Sequence, residues 1–149
     1  MSDREGRAPD PGREDYRHFQ TITTRWMDND VYGHVNNVQY YSYFDTAVNR
    51  YMIERGGLDI RTGETIGLVV ETGCSYRRPI AFPDAVEAGI RVARIGTSSV
   101  TYEVGIFRQG EAAVCAFGRF VHVYVDRTSN RPVPIPAPAR AAMEAIRAA

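Results

Sequence analysis

The segment Asp30-Val-Tyr-Gly-His-Val-Asn-Asn37 gathers residue types that attack a carbonyl carbon or polarise a carbonyl oxygen. Asp30 supplies a carboxylate, which can act as a nucleophile or activate a water. It lies a few residues ahead of Asn37, where helical periodicity begins. A helix start presents unpaired amides and the positive end of the helix dipole. A carbonyl oxygen set against the amide near Asn37 is polarised there, and the oxyanion formed on attack is stabilised. Gly33 suits a place where backbone must come close to a ligand. His34 can orient Asp30, bind the carbonyl or serve the leaving group. Taken singly, each residue also has a plainer role. Asp28 and Asp30 fit loop caps or solvated carboxylates, His34 a structural histidine, and Asn36 or Asn37 a helix cap.

The elements that must hold this segment follow from periodicity. Val38, Tyr41, Phe44, Val48, Tyr51 and Met52 recur at three- and four-residue steps, which predicts a largely buried helix over Asn37 to Arg55. Gly56-Gly57 ends it by supplying positive φ. Before it, His18 to Trp26 reads as a first strand. After it, strands are expected over Thr65 to Tyr76, Ala85 to Ile95, Ser98 to Arg108 and Glu111 to Asp126. The Gln109-Gly110 turn makes the last two an antiparallel hairpin. The proline-rich stretch Arg131 to Pro138 excludes helix and central strand, and an alanine-rich helix is expected over Ala139 to Ala149. Residues 1–17 carry almost no large apolar side chains and read as a flexible tail, leaving 18–149 as a single domain. The fold class is α+β: an antiparallel sheet of about five strands around one long central helix. That sheet is longer than one helix covers, so an edge or face should be buried by a second subunit.

Composition narrows the function classes. The chain has 149 residues, 44% of them hydrophobic, enough for one real core. Its 18 basic and 18 acidic residues cancel, so no global field gathers nucleic acid or anionic membrane. No apolar run approaches the ~20 residues of a membrane span. The opening Ser-Asp-Arg-Glu-Gly-Arg lacks the order of a signal peptide. Cys74 and Cys115 belong to no metal-binding or redox pair, so no metal site and a cytoplasmic setting with reduced thiols are expected.

The stretch Arg25-Trp-Met-Asp-Asn-Asp-Val-Tyr-Gly-His-Val-Asn-Asn-Val-Gln-Tyr40, followed by Phe44 and Arg50, resembles the 4-hydroxybenzoyl-CoA thioesterase-like family of hotdog proteins. Later landmarks agree: Tyr76-Arg-Arg-Pro79 with Asp84, the Ile95-Gly-Thr-Ser-Ser99 turn, and the strand ending at Asp126. The resemblance spans roughly residues 18–136. It implies a hotdog fold, a homodimer or homotetramer, and hydrolysis of an acyl-CoA or acyl-carrier-protein thioester. Coenzyme A enters as part of the substrate, with no other cofactor. Asp30 matches the family's catalytic carboxylate, and the amide near Asn37 the carbonyl-polarising donor. His34 matches the His-Val-Asn-Asn version found in fatty acyl-carrier-protein thioesterases. Those enzymes carry an asparagine where this chain has Tyr32 and an acidic residue near Pro79, so the main carboxylate here remains Asp30.

Further substrate contacts are expected from Tyr32, Gly33, Asn36 and Tyr40 around the loop. Arg77 and Arg78 offer donor forks for the CoA phosphates, and a solvated strand end fits them equally well. Ser98 and Ser99 resemble a turn that approaches CoA in this family, though turn chemistry alone also explains them. Glu71 is a second carboxylate in an otherwise apolar strand. Two rival functions stand beside the hydrolase: a non-catalytic acyl-CoA-binding protein, and a hotdog dehydratase or hydratase. The dehydratase motifs, Asp-x-Asn-Pro-x-His and His-Phe-Pro, are absent from the chain.

Overall fold

Asn36 has extended backbone angles, and its side-chain oxygen accepts the Val38 N–H at 3.1 Å. That cap starts helix α1, Asn37–Arg55, in the computed structural model, which describes residues 8–148. Gly56 is the C-cap, and Gly57 follows with φ of 68°. The helix buries Tyr40, Tyr43, Phe44, Ala47, Val48, Tyr51 and Met52 against the sheet and the second helix.

Five strands form that sheet: β1 (His18–Thr23), β2 (Thr65–Tyr76), β3 (Ala85–Ile95), β4 (Ser99–Arg108) and β5 (Val114–Asp126). Their order is β1-β3-β4-β5-β2, and every pairing is antiparallel. Val86, Ala88, Ile90 and Val92 of β3, with Val100, Tyr102, Val104 and Ile106 of β4, form the buried floor beneath α1. This is the hotdog arrangement expected from the alternation of strands around one periodic segment. Helix α2 (Ala137–Ala145) packs beside α1, with the Tyr51 hydroxyl donating to the Ala142 carbonyl at 2.7 Å. Beyond α2, the Val92 N–H donates to Ile146 O at 3.0 Å and the Ala148 N–H to Val92 O at 2.8 Å. The chain end thus continues the edge of β3 past the last paired residue of β1.

Element ends differ from expectation where tertiary contacts decide them. β1 stops at Thr23 because Thr24 turns to bond Asp84 O, and Trp26–Asp28 forms a short 3-10 turn. The expected strand from Glu111 pairs only from Val114, since Glu111 still closes the turn onto Arg108 O. α2 begins two residues early, at Ala137, because Pro138 is tolerated within a first helical turn.

Residues 1–7 of the expected tail lie outside the described residues. Residues 8–17, expected to carry little structure, instead pack on the outer face of the sheet. Tyr16 is 7% exposed and sits against Gly89 and Gly105, a register pair in which any Cβ would meet its ring. Phe19, Phe107, Val114 and Phe117 complete this small second core. One aromatic and two glycines far apart in sequence make the site, so local composition gave no sign of it. The edge strand β2 leaves Leu68, Val69 and Val70 exposed.

Candidate active site

The loop ahead of α1 is a tight hairpin rather than a loose connection. Asn29 and Val35 form an antiparallel bridge, and the Asp30 N–H donates to His34 O at 2.9 Å. The Gly33 N–H closes the turn on Asp30 O at 3.1 Å, and its φ of 83° is one that other residues adopt only under strain. Asp30 and His34 therefore face each other across the neck of this turn. Asp30 is half-buried, and its Oδ1 accepts the Tyr32 N–H at 2.8 Å. Among the described residues Oδ2 has no hydrogen-bond donor, so it remains available to a ligand or water.

Asp28 holds the hairpin to the fold. It is fully buried, and its carboxylate accepts from the Arg25 amide at 2.9 Å, Arg25 Nε at 3.0 Å and the Tyr43 hydroxyl at 2.8 Å. Burial acts to raise its pKa, but these hydrogen bonds and the Arg25 charge together hold it below the usual aspartate value. The Asn36 N–H donates to Asp28 O at 2.8 Å, and the Val35 N–H to Ile80 O at 2.7 Å. The hairpin, helix start and segment 80–82 are thereby locked together. From residue type alone, Asp28 is a loop cap or a solvated carboxylate. The signal that could have found it is the Arg25-to-Asp28 spacing of three, with Tyr43 one buried helical face away.

At the helix start the Val38 N–H is taken by Asn36 Oδ1 and the Gln39 N–H by Asn36 O at 2.9 Å. The Asn37 N–H has no acceptor among the described residues. Asn37 borders a groove of about 300 Å³ lined also by His34, Val35, Tyr40, Tyr76, Arg77, Arg78 and Pro79. The Tyr76 hydroxyl donates to Asn37 O at 3.0 Å, and its ring meets Tyr40 edge-on at 5.1 Å. Burial pushes the Tyr40 phenol up to about 12, so it stays neutral near pH 7. Tyr76 was a landmark of the sequence without an assigned role. Strand alternation puts it on the helix-facing side of β2.

Of the expected site residues, His34, Asn37, Tyr40, Arg77 and Arg78 share this groove, with Asp30 adjoining through His34. Asn36 is spent as the helix cap. Tyr32 is 84% exposed at the hairpin tip, and Gly33 has nothing within 4 Å of where a Cβ would stand. Neither borders the groove. Arg77 has its guanidinium turned to the outer face, against Asp10 and Phe117, whereas exposed Arg78 has no ion pair among the described residues. Ser98 and Ser99 close the β3–β4 turn, with the Gly96 N–H donating to Ser99 O at 2.7 Å. Arg108, at the other end of β4, reaches Pro79 O beside the groove. Ser99 therefore lies a whole strand, roughly 30 Å, from the site within one chain. Glu71 is exposed on β2 and paired with Arg119. Among the described residues no three His, Cys, Asp or Glu side chains cluster as metal ligands. No helix there is long and apolar enough to cross a membrane.

The model of the thioesterase-like superfamily matches residues 24–145. The solved structure of PA5185 from Pseudomonas aeruginosa is 60% identical, with a TM-score of 0.93, covering 95% of this chain and 99% of that one. Slr0204 from Synechocystis, a 1,4-dihydroxy-2-naphthoyl-CoA thioesterase, shares the fold at 16% identity, with a TM-score of 0.76 over 84% of this chain and 93% of its own. The Bacillus subtilis (strain 168) protein YsmA is 25% identical over 119 residues, 79% of each chain. With its helix wrapped by a five-stranded antiparallel sheet, the chain belongs to the thioesterase-like superfamily of hotdog proteins.

Proposed function

We propose that the chain hydrolyses an acyl-CoA thioester to the free acid and the CoA thiol. The observation that carries this reading is the uncommitted Asn37 N–H at the N-terminus of α1, bordering a groove beside Asp30 and His34. The thioester oxygen accepts from that amide. The Asp30 carboxylate attacks the thioester carbon, or takes the proton of a water that attacks it. The C–S bond then breaks, and the thiolate leaves with help from His34. Where Asp30 itself attacked, water then cleaves the acyl–Asp30 anhydride to the free acid and restores the carboxylate. Helix dipole and amide together stabilise the charge that builds on oxygen. CoA belongs to the substrate, and these steps need no resident metal or cofactor. Family membership and the named CoA thioesterase of Synechocystis support the substrate class.

A groove of about 300 Å³ is at the small end of ligand sites, which suits a pocket completed by a second copy of the chain. A second copy along the exposed edge of β2 supplies the remaining wall, in a homodimer or homotetramer. Free Cys74 and Cys115 suit a reducing, cytoplasmic setting. The test is thiol release from a panel of aryl- and fatty acyl-CoA esters. Release from at least one class is expected. Tight calorimetric binding of a non-hydrolysable CoA analogue without any release identifies a non-catalytic binding protein instead.

A further inference from the structure

Arg77 and Arg78 are neighbours in sequence but differ in freedom. Arg77 Nε donates to both carboxylate oxygens of Asp10 at 3.0 Å each. Its Nη1 donates to Tyr76 O at 3.1 Å, and its guanidinium lies 5.0 Å from the Phe117 ring centre. Asp10 belongs to the N-terminal segment, which Tyr16 anchors in its glycine hollow and Arg13 ties to Glu87 and the 108–111 turn. Yet Arg77 is also part of the groove wall beside His34 and Asn37. A cation at the site's rim is thus held away from the groove by a carboxylate supplied from residues 8–17.

We propose that Asp10 is a specificity-determining residue, holding Arg77 in reserve and so moderating affinity for thioesters whose thiol carries the 3′-phosphorylated ADP of CoA. The inference rests on the acyl-CoA reading above. Its physics is competition: the Asp10–Arg77 pair is partly exposed, with side chains 44% and 26% accessible, and pairs of that kind are weak. A phosphate dianion also takes two parallel N–H bonds from a guanidinium and carries more negative charge than a carboxylate, so it competes with Asp10 for Arg77. Substrate without phosphates, such as an acyl-pantetheine ester, gains nothing from Arg77 and does not sense Asp10.

The experiment uses the full chain with Asp10→Asn, Asp10→Glu and the double change Asp10→Asn with Arg77→Ala. Adenosine 3′,5′-bisphosphate binding is measured by calorimetry, and KM and kcat with acyl-CoA and the matching acyl-pantetheine ester. Asp10→Asn should tighten bisphosphate binding and lower KM for acyl-CoA by about two- to fivefold, the range set by an exposed ion pair. Its kcat and its KM for the pantetheine ester should not move. Asp10→Glu should behave as the parent, and removing Arg77 should cancel the gain. Unchanged bisphosphate affinity in Asp10→Asn, an equal shift with the pantetheine ester, or a gain that persists without Arg77 overturns the inference. Absence of thiol release from every ester overturns the proposed function alone, because the bisphosphate measurement still decides the role of Asp10.

Discussion

Asp28 and Asp30 stand two residues apart and do different work. Asp28 is enclosed by Arg25 and Tyr43, whereas Asp30 keeps one carboxylate oxygen uncommitted. Asp28→Ala leaves the Tyr43 hydroxyl buried without its acceptor, so a loss of about 2–3 kcal/mol is expected by denaturant unfolding. His122 gives a separate prediction. Burial lowers its pKa from 6.5 to about 4, so the unfolded chain takes up a proton that the folded chain refuses. Stability should fall as pH drops from 6.5 towards 4, by up to about tenfold in the folding constant per pH unit. Asp28 has the opposite sign of charge and acts in a lower window. Its folded pKa lies below the 3.8 of the free side chain, so its contribution is complete above that value and fades as pH falls below it. Unfolding midpoints of the parent and His122→Gln at pH 7, 5 and 3 separate the two. A parent chain equally stable at pH 7 and 5 contradicts the His122 assignment. Residue types alone could not divide Asp28 from Asp30, because what separates them is a tyrosine 15 positions downstream.

Helix α1 shows what sequence determines well at the level of elements. Its bounds follow from local chemistry, an asparagine cap and a glycine pair, and the structure has the helix at the expected residues. Asn36→Ala should cost about 1 kcal/mol and loosen the groove wall at Asn37, visible as lower stability together with weaker ligand binding. Strand ends were less readable. Thr24 and Glu111 leave the ladder because of Asp84 and Arg108, partners that no local pattern names. The same holds for residues 8–17. Their composition predicts a tail, but Tyr16 meets a hollow made by Gly89 and Gly105 on two other strands. Tyr16→Ala should destabilise the fold by about 3 kcal/mol, as truncation of a buried aromatic does. A change within experimental error would mean that this segment contributes nothing to the folded state.

The whole molecule sets what one chain can complete. Loop, helix start and the 76–79 segment meet in one groove. The sequence joins the loop to the helix start, whereas the approach of the 76–79 segment depends on tertiary packing that no local pattern names. Ser98 and Ser99 sit at the far end of β4, a strand's length from the groove within one chain. β2 exposes Leu68, Val69 and Val70 along an unpaired edge, with Val70 57% accessible. Val69→Lys with Val70→Lys should shift sedimentation towards the monomer and reduce turnover together, since charge on an edge strand opposes pairing. The central claim is tested most directly by thiol release from acyl-CoA esters, comparing the parent chain with Asp30→Asn at equal fold content by circular dichroism. Release by the parent and a fall of at least about a hundredfold in Asp30→Asn are predicted, the scale at which a positioned acid or base contributes. Equal turnover in the two proteins would contradict it.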